Sequence, residues 1–489
     1  MLHQFSYRID KQVWSTKTGV FRYQLPFCPR LFFAWQNAVS ETCIRYQSTQ
    51  WLLLTAFWIP RRGCTDPSCN IRTKLLTKAS IRSYSRRTIP YEYPVAISVH
   101  GPIGGMEYPM LCFNGGRPEK DGTYSGRTKY GMIGVIIHEV GHNFFPMIMN
   151  SDERQWSWLD EGLNSFLKYL AEQEWERNFP SRLGEPASIV EYMRTDKSLQ
   201  SSIMTNSESA LQFGNNAYAK PATALNILRE TVMGRELFDH AFKTYAQRWA
   251  YKHPAPADFF RTMEDASAMD LDWFWRGWFY TTDRCDLALE SVKVYQPATG
   301  NPVVEKARQQ QAPAAAAPSI SAQRNAQDIA QTLVEEKPEL KDFYNGFDPL
   351  AVTPADQQRY RAYLAALSPE QQKRLGGPQY FYELALRNVG GLVMPVIVQL
   401  TYADNSKEVQ TIPTEIWRKN NAQVTKIIVT QQSVVSFVLD PFQQTADTDL
   451  SNNAFPRQPA ASRFELFEQQ QAAAPNPMQS AAQNTGSPR

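Results

Sequence analysis

Hydrophobic positions fall into regular periods only from about Tyr84 onward. The stretch Tyr93-Pro-Val-Ala-Ile-Ser-Val99 is rich in β-branched residues and predicts a strand. Residues 101–126 carry repeated glycines broken by Pro102, Pro109 and Pro118, which predicts short strands and loops. Helical spacing then appears over 128–149, with Met132, Ile133, Val135, Ile136 and Ile137 on the buried side and Pro146 expected to end or kink the helix. A second helix is predicted over 156–177, with Leu159, Leu163, Phe166, Leu167 and Leu170 at helical spacing. Further helices are expected over 217–232, 236–251 and 256–280. The last ends in the aromatic run from Trp273 to Tyr280, which reads as core rather than as the lining of a cleft. Residues 305–326 have the Gln, Ala and Pro content of a linker, and 325–375 are polar and helical in parts. From Tyr380 to Leu439 the period changes to two. Strands are predicted over 380–386, 393–402, 426–429 and 434–439, with a hairpin turn at Ala403-Asp-Asn-Ser406. A small β-sandwich follows from this pattern. After about Gln443 the chain is Gln-, Ala- and Pro-rich, the composition of a disordered tail.

Composition changes this picture little except at the start of the chain. At 489 residues, 43% hydrophobic and 20% charged, the chain is long enough for several domains with sizeable cores. A net charge of +3 gives no reason to expect nucleic acid or a membrane surface as partner. No apolar run reaches the roughly 18 residues of a membrane span, and the first 25 residues lack the apolar core of a signal peptide. The first 83 residues hold 12 Lys and Arg against 3 Asp and Glu, and four of the six cysteines. No sustained period is legible there. The segment reads as a basic arm or, more simply, as a truncated or mistranslated start. The cysteines form no CxxC pair, and Cys64 and Cys69 are either a disulfide or free thiols.

The chemistry concentrates in His138-Glu139-Val140-Gly141-His142. Residues four apart share one helix face, so both imidazoles can reach one metal ion while Glu139 projects beside its open position. Hydrolytic zinc takes three protein ligands and a water. Glu161, early in the next helix, suits the third position, with Gly162 after it where helices can pack closely. Asp160 is the rival ligand. On a regular helix it points about 100° away from Glu161, so only one of the two should face the ion.

HExxH, eighteen residues and then Glu within Trp158-Leu-Asp-Glu-Gly162 resembles the gluzincin peptidases, and among them the membrane-alanyl aminopeptidase family, peptidase family M1. Gly104-Gly105-Met106-Glu107-Tyr108 is similar to that family's glycine-x-methionine-glutamate-asparagine exopeptidase motif. The resemblance implies that Glu107, with Gly104, Gly105 and Met106, binds the substrate's amino end. Tyr218-Ala219-Lys220-Pro221 is similar to the family's tyrosine-x-lysine-glycine segment, which implies that Tyr218 steadies the oxyanion. Tyr108 stands where the family has asparagine, and Pro221 where it has glycine.

The fold class expected is α+β: a thermolysin-like, mainly helical zinc-peptidase domain followed by a small β-sandwich. The segments are 1–83, an ill-patterned remnant of a β-domain; 84–300, the peptidase domain; 301–378, linker and helices; 379–443, the sandwich; and 444–489, the tail. The function expected is a zinc-dependent aminopeptidase with one Zn2+ on His138, His142 and Glu161, and with Glu139 and Tyr218 as catalytic groups. Its partners are peptides with a free N-terminus. A zinc endopeptidase and an inactive peptidase-like scaffold are the alternatives. The resemblance implies a periplasmic or secreted location, and oligomeric state is not legible.

Overall fold

A computed structural model describes residues 39–47, 50–58, 67–101, 103–116, 123–311, 318–341, 348–375 and 379–457. Cys64, and with it the choice between a Cys64–Cys69 disulfide and free thiols, the basic start as far as residue 38, Pro102 and Pro118 of the loop, residues 312–317 of the linker and the tail from 458 lie outside them. Contacts divide the chain into two units, Met1–Arg284 with Gln443–Thr448, and Cys285–Phe442 with Asp449–Arg489.

The first unit starts from elements in the region where no period was legible. Strands β1 (Val39–Gln47) and β2 (Gln50–Trp58) pair antiparallel, and helix α1 covers Pro67–Arg87. The buried stripe of α1 explains why its period is hidden: Thr77, Ser80 and Ser83 are as buried as Leu76, Ile81 and Tyr84. Thr77 and Ser80 donate to carbonyls four residues back, at 2.9 and 2.8 Å, so their hydroxyls are satisfied inside the helix. Strand β3 (Val95–His100) pairs parallel with β2 and with β5 (Leu111–Asn114), and β4 (Gly105–Tyr108) pairs antiparallel with β5. The sheet order β1-β2-β3-β5-β4 leaves β4 on an edge.

Helix α2 (Gly126–Gly141) is capped by Ser125, which accepts from Thr128 N at 3.1 Å, and it buries Ile133, Ile136, Ile137 and Val140. It ends well short of Pro146, where the sequence pattern placed its stop. Asn143 Nδ2 donates to Val140 O at 3.0 Å and Phe144 N to Gly141 O at 2.8 Å, which closes turns in place of further helix. The predicted second helix is a π-helical turn, Trp158–Gly162, running into α3 (Leu163–Trp175), and the five leucine and phenylalanine positions named for it are all buried. After α4 (Pro186–Arg194), a π turn Gly214–Ala219 leads into α5 (Lys220–Ile227). Helices α6 (Arg235–Trp249) and α7 (Pro256–Ser267) follow.

The single helix expected over 256–280 is broken. Ala268 takes a left-handed conformation (φ 54°), and Glu264 Oε1 accepts from Leu271 N at 3.0 Å, which turns the chain before α8 (Asp272–Trp275) and a π turn Arg276–Tyr280. Of the aromatic run expected to be core, Phe274, Trp275, Trp278 and Phe279 are buried, whereas Trp273 is half-buried and Tyr280 exposed; Trp158 and Phe279 rings meet at 4.7 Å.

The second unit opens with β6 (Leu287–Tyr295), a strand the sequence pattern did not register. A half-buried helix Pro302–Gln311 and an exposed one, Ile320–Asp328, follow, then β7 (Tyr380–Asn388), β8 (Val396–Tyr402), β9 (Lys407–Ile412), β10 (Gln423–Thr430), β11 (Val434–Leu439) and β12 (Ala454–Phe455). They form antiparallel sheets of order β10-β7-β6 and β12-β11-β8-β9, and the predicted hairpin joins β8 to β9. Tyr382 of one sheet meets Phe437 of the other at 5.1 Å. Residues 443–457, expected to open a disordered tail, are ordered: β12 pairs with β11, and Thr448 O accepts from Arg194 Nε at 2.6 Å.

Candidate metal centre

Helix α2 and the π turn before α3 bring three donor atoms together. His138 Nε2 lies 3.0 Å from Glu161 Oε2 and 3.1 Å from His142 Nε2, and His142 Nε2 lies 3.3 Å from the same carboxylate oxygen. Donors on one tetrahedral zinc stand about 3.4 Å apart at ordinary bond lengths. The triangle and its two imidazoles and carboxylate therefore fit one such ion. His138, His142 and Glu161 are one of two groups among the described residues able to hold a metal; the other is Glu107, His142 and Asp160.

The electrostatics favour a positive charge at this point. Burial pulls the His142 imidazole down, but Asp160 and Glu161 outweigh it and hold the ring well above its usual value. Burial chiefly, helped by the neighbouring His142, lowers His138 to about 4. Glu161 is opposed by burial, yet hydrogen bonds with both imidazoles keep its carboxyl well below the usual carboxylate range. Glu139, one step along α2, is buried and its Oε2 has no hydrogen-bond partner. Burial pushes its carboxyl up to about 8, against the attraction of His142.

Both acids of the π turn lie against His142. Glu161 addresses Nε2 of His142, while Asp160 Oδ1 lies 2.9 Å from Nδ1 of the same ring, beside the Phe145 carbonyl at 2.8 Å that receives the N–H. Asp160 thus lies at ion-pair distance from His142, where the sequence reading weighed it only as a rival ligand. Gly162 is needed where it stands: a Cβ there would come within 2.7 Å of Pro221 Cγ and 3.0 Å of Ala217 O. The close packing expected at Gly162 is thus against the segment that carries Tyr218.

The remaining predicted residues are drawn in as well. Tyr218 donates to Glu161 Oε1 at 2.6 Å, and its ring stacks on His138 at 5.8 Å. Burial, with the charge of Glu161, raises its pKa far above the usual tyrosine value. Glu107, Met106 and Gly105 lie on edge strand β4, with Gly104 just before it. Gly105 backs directly onto the Glu139 carboxylate. Glu107 is half-buried, raised by that burial, and feels the charges of His142 and Glu161. Two residues escaped the sequence reading. Asn164 Nδ2 donates to His138 O at 2.9 Å, and Tyr84 OH lies 2.8 Å from Asn164 Oδ1. Their one sequence signal is an asparagine on the buried side of an apolar helix.

Residues 81–278 match the peptidase family M1 domain. Glutamyl aminopeptidase of Bos taurus is 29% identical over 153 residues, which span 29% of this chain and 16% of that protein. Aminopeptidase N of Lactococcus lactis subsp. lactis is 23% identical over 206 residues, spanning 38% of this chain and 24% of that one. The chain thus spans less than a quarter of the length of these relatives. Among solved structures, Legionella pneumophila aminopeptidase A in complex with aspartic acid is similar over 84% of this chain and 38% of that chain, at 12% identity and a TM-score of 0.49. Residues 81–278, which contain every residue of the centre described above, are thus similar to the peptidase family M1 domain.

Proposed function

We propose that the chain is a zinc-dependent aminopeptidase holding one Zn2+ on His138, His142 and Glu161. The observation that carries this is the convergence of their three donor atoms within 3.0–3.3 Å, with the unpartnered Glu139 carboxylate beside them. We read the first unit as thermolysin-like and the two sheets of the second as a β-sandwich. When bound, zinc lowers the pKa of a water towards about 7 and polarises a carbonyl. The rest falls to the chain's own residues.

Glu139 takes the proton of the attacking water and passes it to the leaving amine, a role suited to a carboxyl whose proton affinity burial has raised. Glu107 pairs with the cationic amino end of the peptide. Gly104, Gly105 and Met106, at the open edge of the sheet, offer main-chain groups to an extended substrate. Tyr218 donates to the carbonyl oxygen as negative charge grows on it, and its raised pKa keeps the proton on the donor.

Replacing Glu139 tests the mechanism. Glu139→Gln is expected to retain zinc while losing turnover of aminoacyl-coumarin substrates by about 10²–10⁴-fold or more; a fully active variant would overturn it. Glu107 tests the exopeptidase reading. Peptides with a free amine should be cleaved and their N-acetylated forms spared, whereas equal cleavage of both would leave a zinc endopeptidase.

A further inference from the structure

One oxygen in the centre has more partners than helix geometry requires. His138 O accepts from His142 N at 3.2 Å, the bond that ends α2, and also from Asn164 Nδ2 at 2.9 Å. Asn164 stands three positions after Glu161, at the start of α3. The main-chain oxygen of one expected ligand thus touches the main chain of the second and the helix turn that follows the third.

The amide of Asn164 is itself held. Tyr84 OH lies 2.8 Å from Asn164 Oδ1 and 3.0 Å from Asn164 O, so its single proton serves one or the other. With Oδ1 facing a donor, Nδ2 is left facing His138 O, and the amide has one satisfied orientation. Tyr84 and Asn164 are both fully buried, and no water can replace either partner at low cost. Gly141, between the two histidines, gives them room: a Cβ there would overlap Asn164 Oδ1 and the Tyr84 hydroxyl.

We infer that Tyr84 and Asn164 are positioning residues for the metal centre: the pair fastens α1, α2 and α3 at His138 O and thereby fixes the spacing of His138, His142 and Glu161. The inference rests on the zinc reading above but concerns residues outside the ligand set. Neither side chain touches the donor atoms. Their effect is to hold ready a geometry that a metal would otherwise have to impose, so loosening them weakens binding.

The test is the zinc dissociation constant of the purified full chain, by competition with a chromogenic chelator, for wild type, Tyr84→Phe, Asn164→Ala and Asn164→Asp. Ile189→Val, which trims a buried side chain of α4, serves as a stability control. Tyr84→Phe is expected to bind zinc roughly 10-fold more weakly and Asn164→Ala about 10–100-fold more weakly, with Ile189→Val within twofold of wild type. Asn164→Asp keeps an acceptor for Tyr84 but sets an oxygen against His138 O, so it should fare no better than Asn164→Ala. Zinc affinities of Tyr84→Phe and Asn164→Ala within twofold of wild type would overturn the inference. So would a loss in Ile189→Val equal to that in Tyr84→Phe. If Asn164→Ala does not fold, Tyr84→Phe still decides. A wild-type chain that binds no zinc would instead remove the reading on which this one rests.

Discussion

Gly131 and Gly141 lie on the same helix, yet a methyl added to each meets opposite surroundings. At Gly131, which is exposed, nothing stands within 4 Å, so alanine brings only its better helix propensity. At Gly141 the methyl runs into the buried Tyr84–Asn164 pair. Gly131→Ala is expected to stabilise the protein by about 0.5–1 kcal/mol. Gly141→Ala is expected to destabilise it by roughly 1–3 kcal/mol. Denaturant midpoints of the two variants check both signs, and equal shifts would refute the crowding at Gly141. At this scale the convergence of His138, His142 and Glu161 was legible in the chain from spacing alone: two histidines four apart on a helix, and Glu161 at the distance of the next one. Asp160 was weighed only as a rival ligand, because its contact with Nδ1 of His142 depends on how the π turn packs against α2, which spacing does not record. Tyr84 gave no signal, and Asn164 only that of an asparagine on the buried side of an apolar helix. Their roles depend on which helix turns meet, which no local spacing records.

Two π turns carry side chains of the candidate site, Glu161 in one and Tyr218 in the other, and both run straight into α-helices. A widened turn places a side chain off the regular helical stripe, a common device at functional sites. The second turn is tied down by Lys220. Its side chain is fully buried, and its ammonium donates to Thr281 O at 3.1 Å, past the end of the last π turn. Burial lowers the pKa of this lysine to about 8, against an ordinary 10.5, with Asp283 pulling the other way. An unfolded chain therefore holds a proton at this position between about pH 8 and 10.5 that the folded chain has released. Where the unfolded state binds more protons, stability rises with pH. The burial penalty is thus complete below pH 8 and fades towards 10.5. Lys220→Met should remove that rise. Unfolding free energies of wild type and variant across this window, taken as a difference to cancel other groups, measure it, and parallel curves would refute it. Elements themselves were readable where apolar residues repeat, as in α2 and α3. They were missed where polar residues are buried, as in α1, whose inward stripe mixes Lys74, Thr77, Ser80 and Ser83 with Leu76, Ile81 and Tyr84.

The candidate metal centre lies wholly within the first of the two units, and under the zinc reading proposed above this predicts a distinct thermal signature. A ligand that binds only the folded state stabilises it by an amount set by its concentration over Kd, about 2.7 kcal/mol at one hundred times Kd. In a calorimetric scan, zinc is expected to move the transition of the unit holding His138, His142 and Glu161 upward and to leave that of the other unit unmoved. Chelation should reverse the shift. A uniform shift of all transitions would count against a site confined to the first unit. The buried stripe of α1 has a practical consequence for anyone who trims this protein. The family match begins at residue 81, but the helix that presents Tyr84 begins at Pro67. A fragment cut at the boundary of homology would start inside that helix and discard Leu76, Thr77 and Ser80. The remaining stub of about two turns is far shorter than the 12–15 residues at which an isolated helix becomes even marginal. The zinc motif would survive intact in such a fragment, while the tyrosine that braces it would sit on a fraying end.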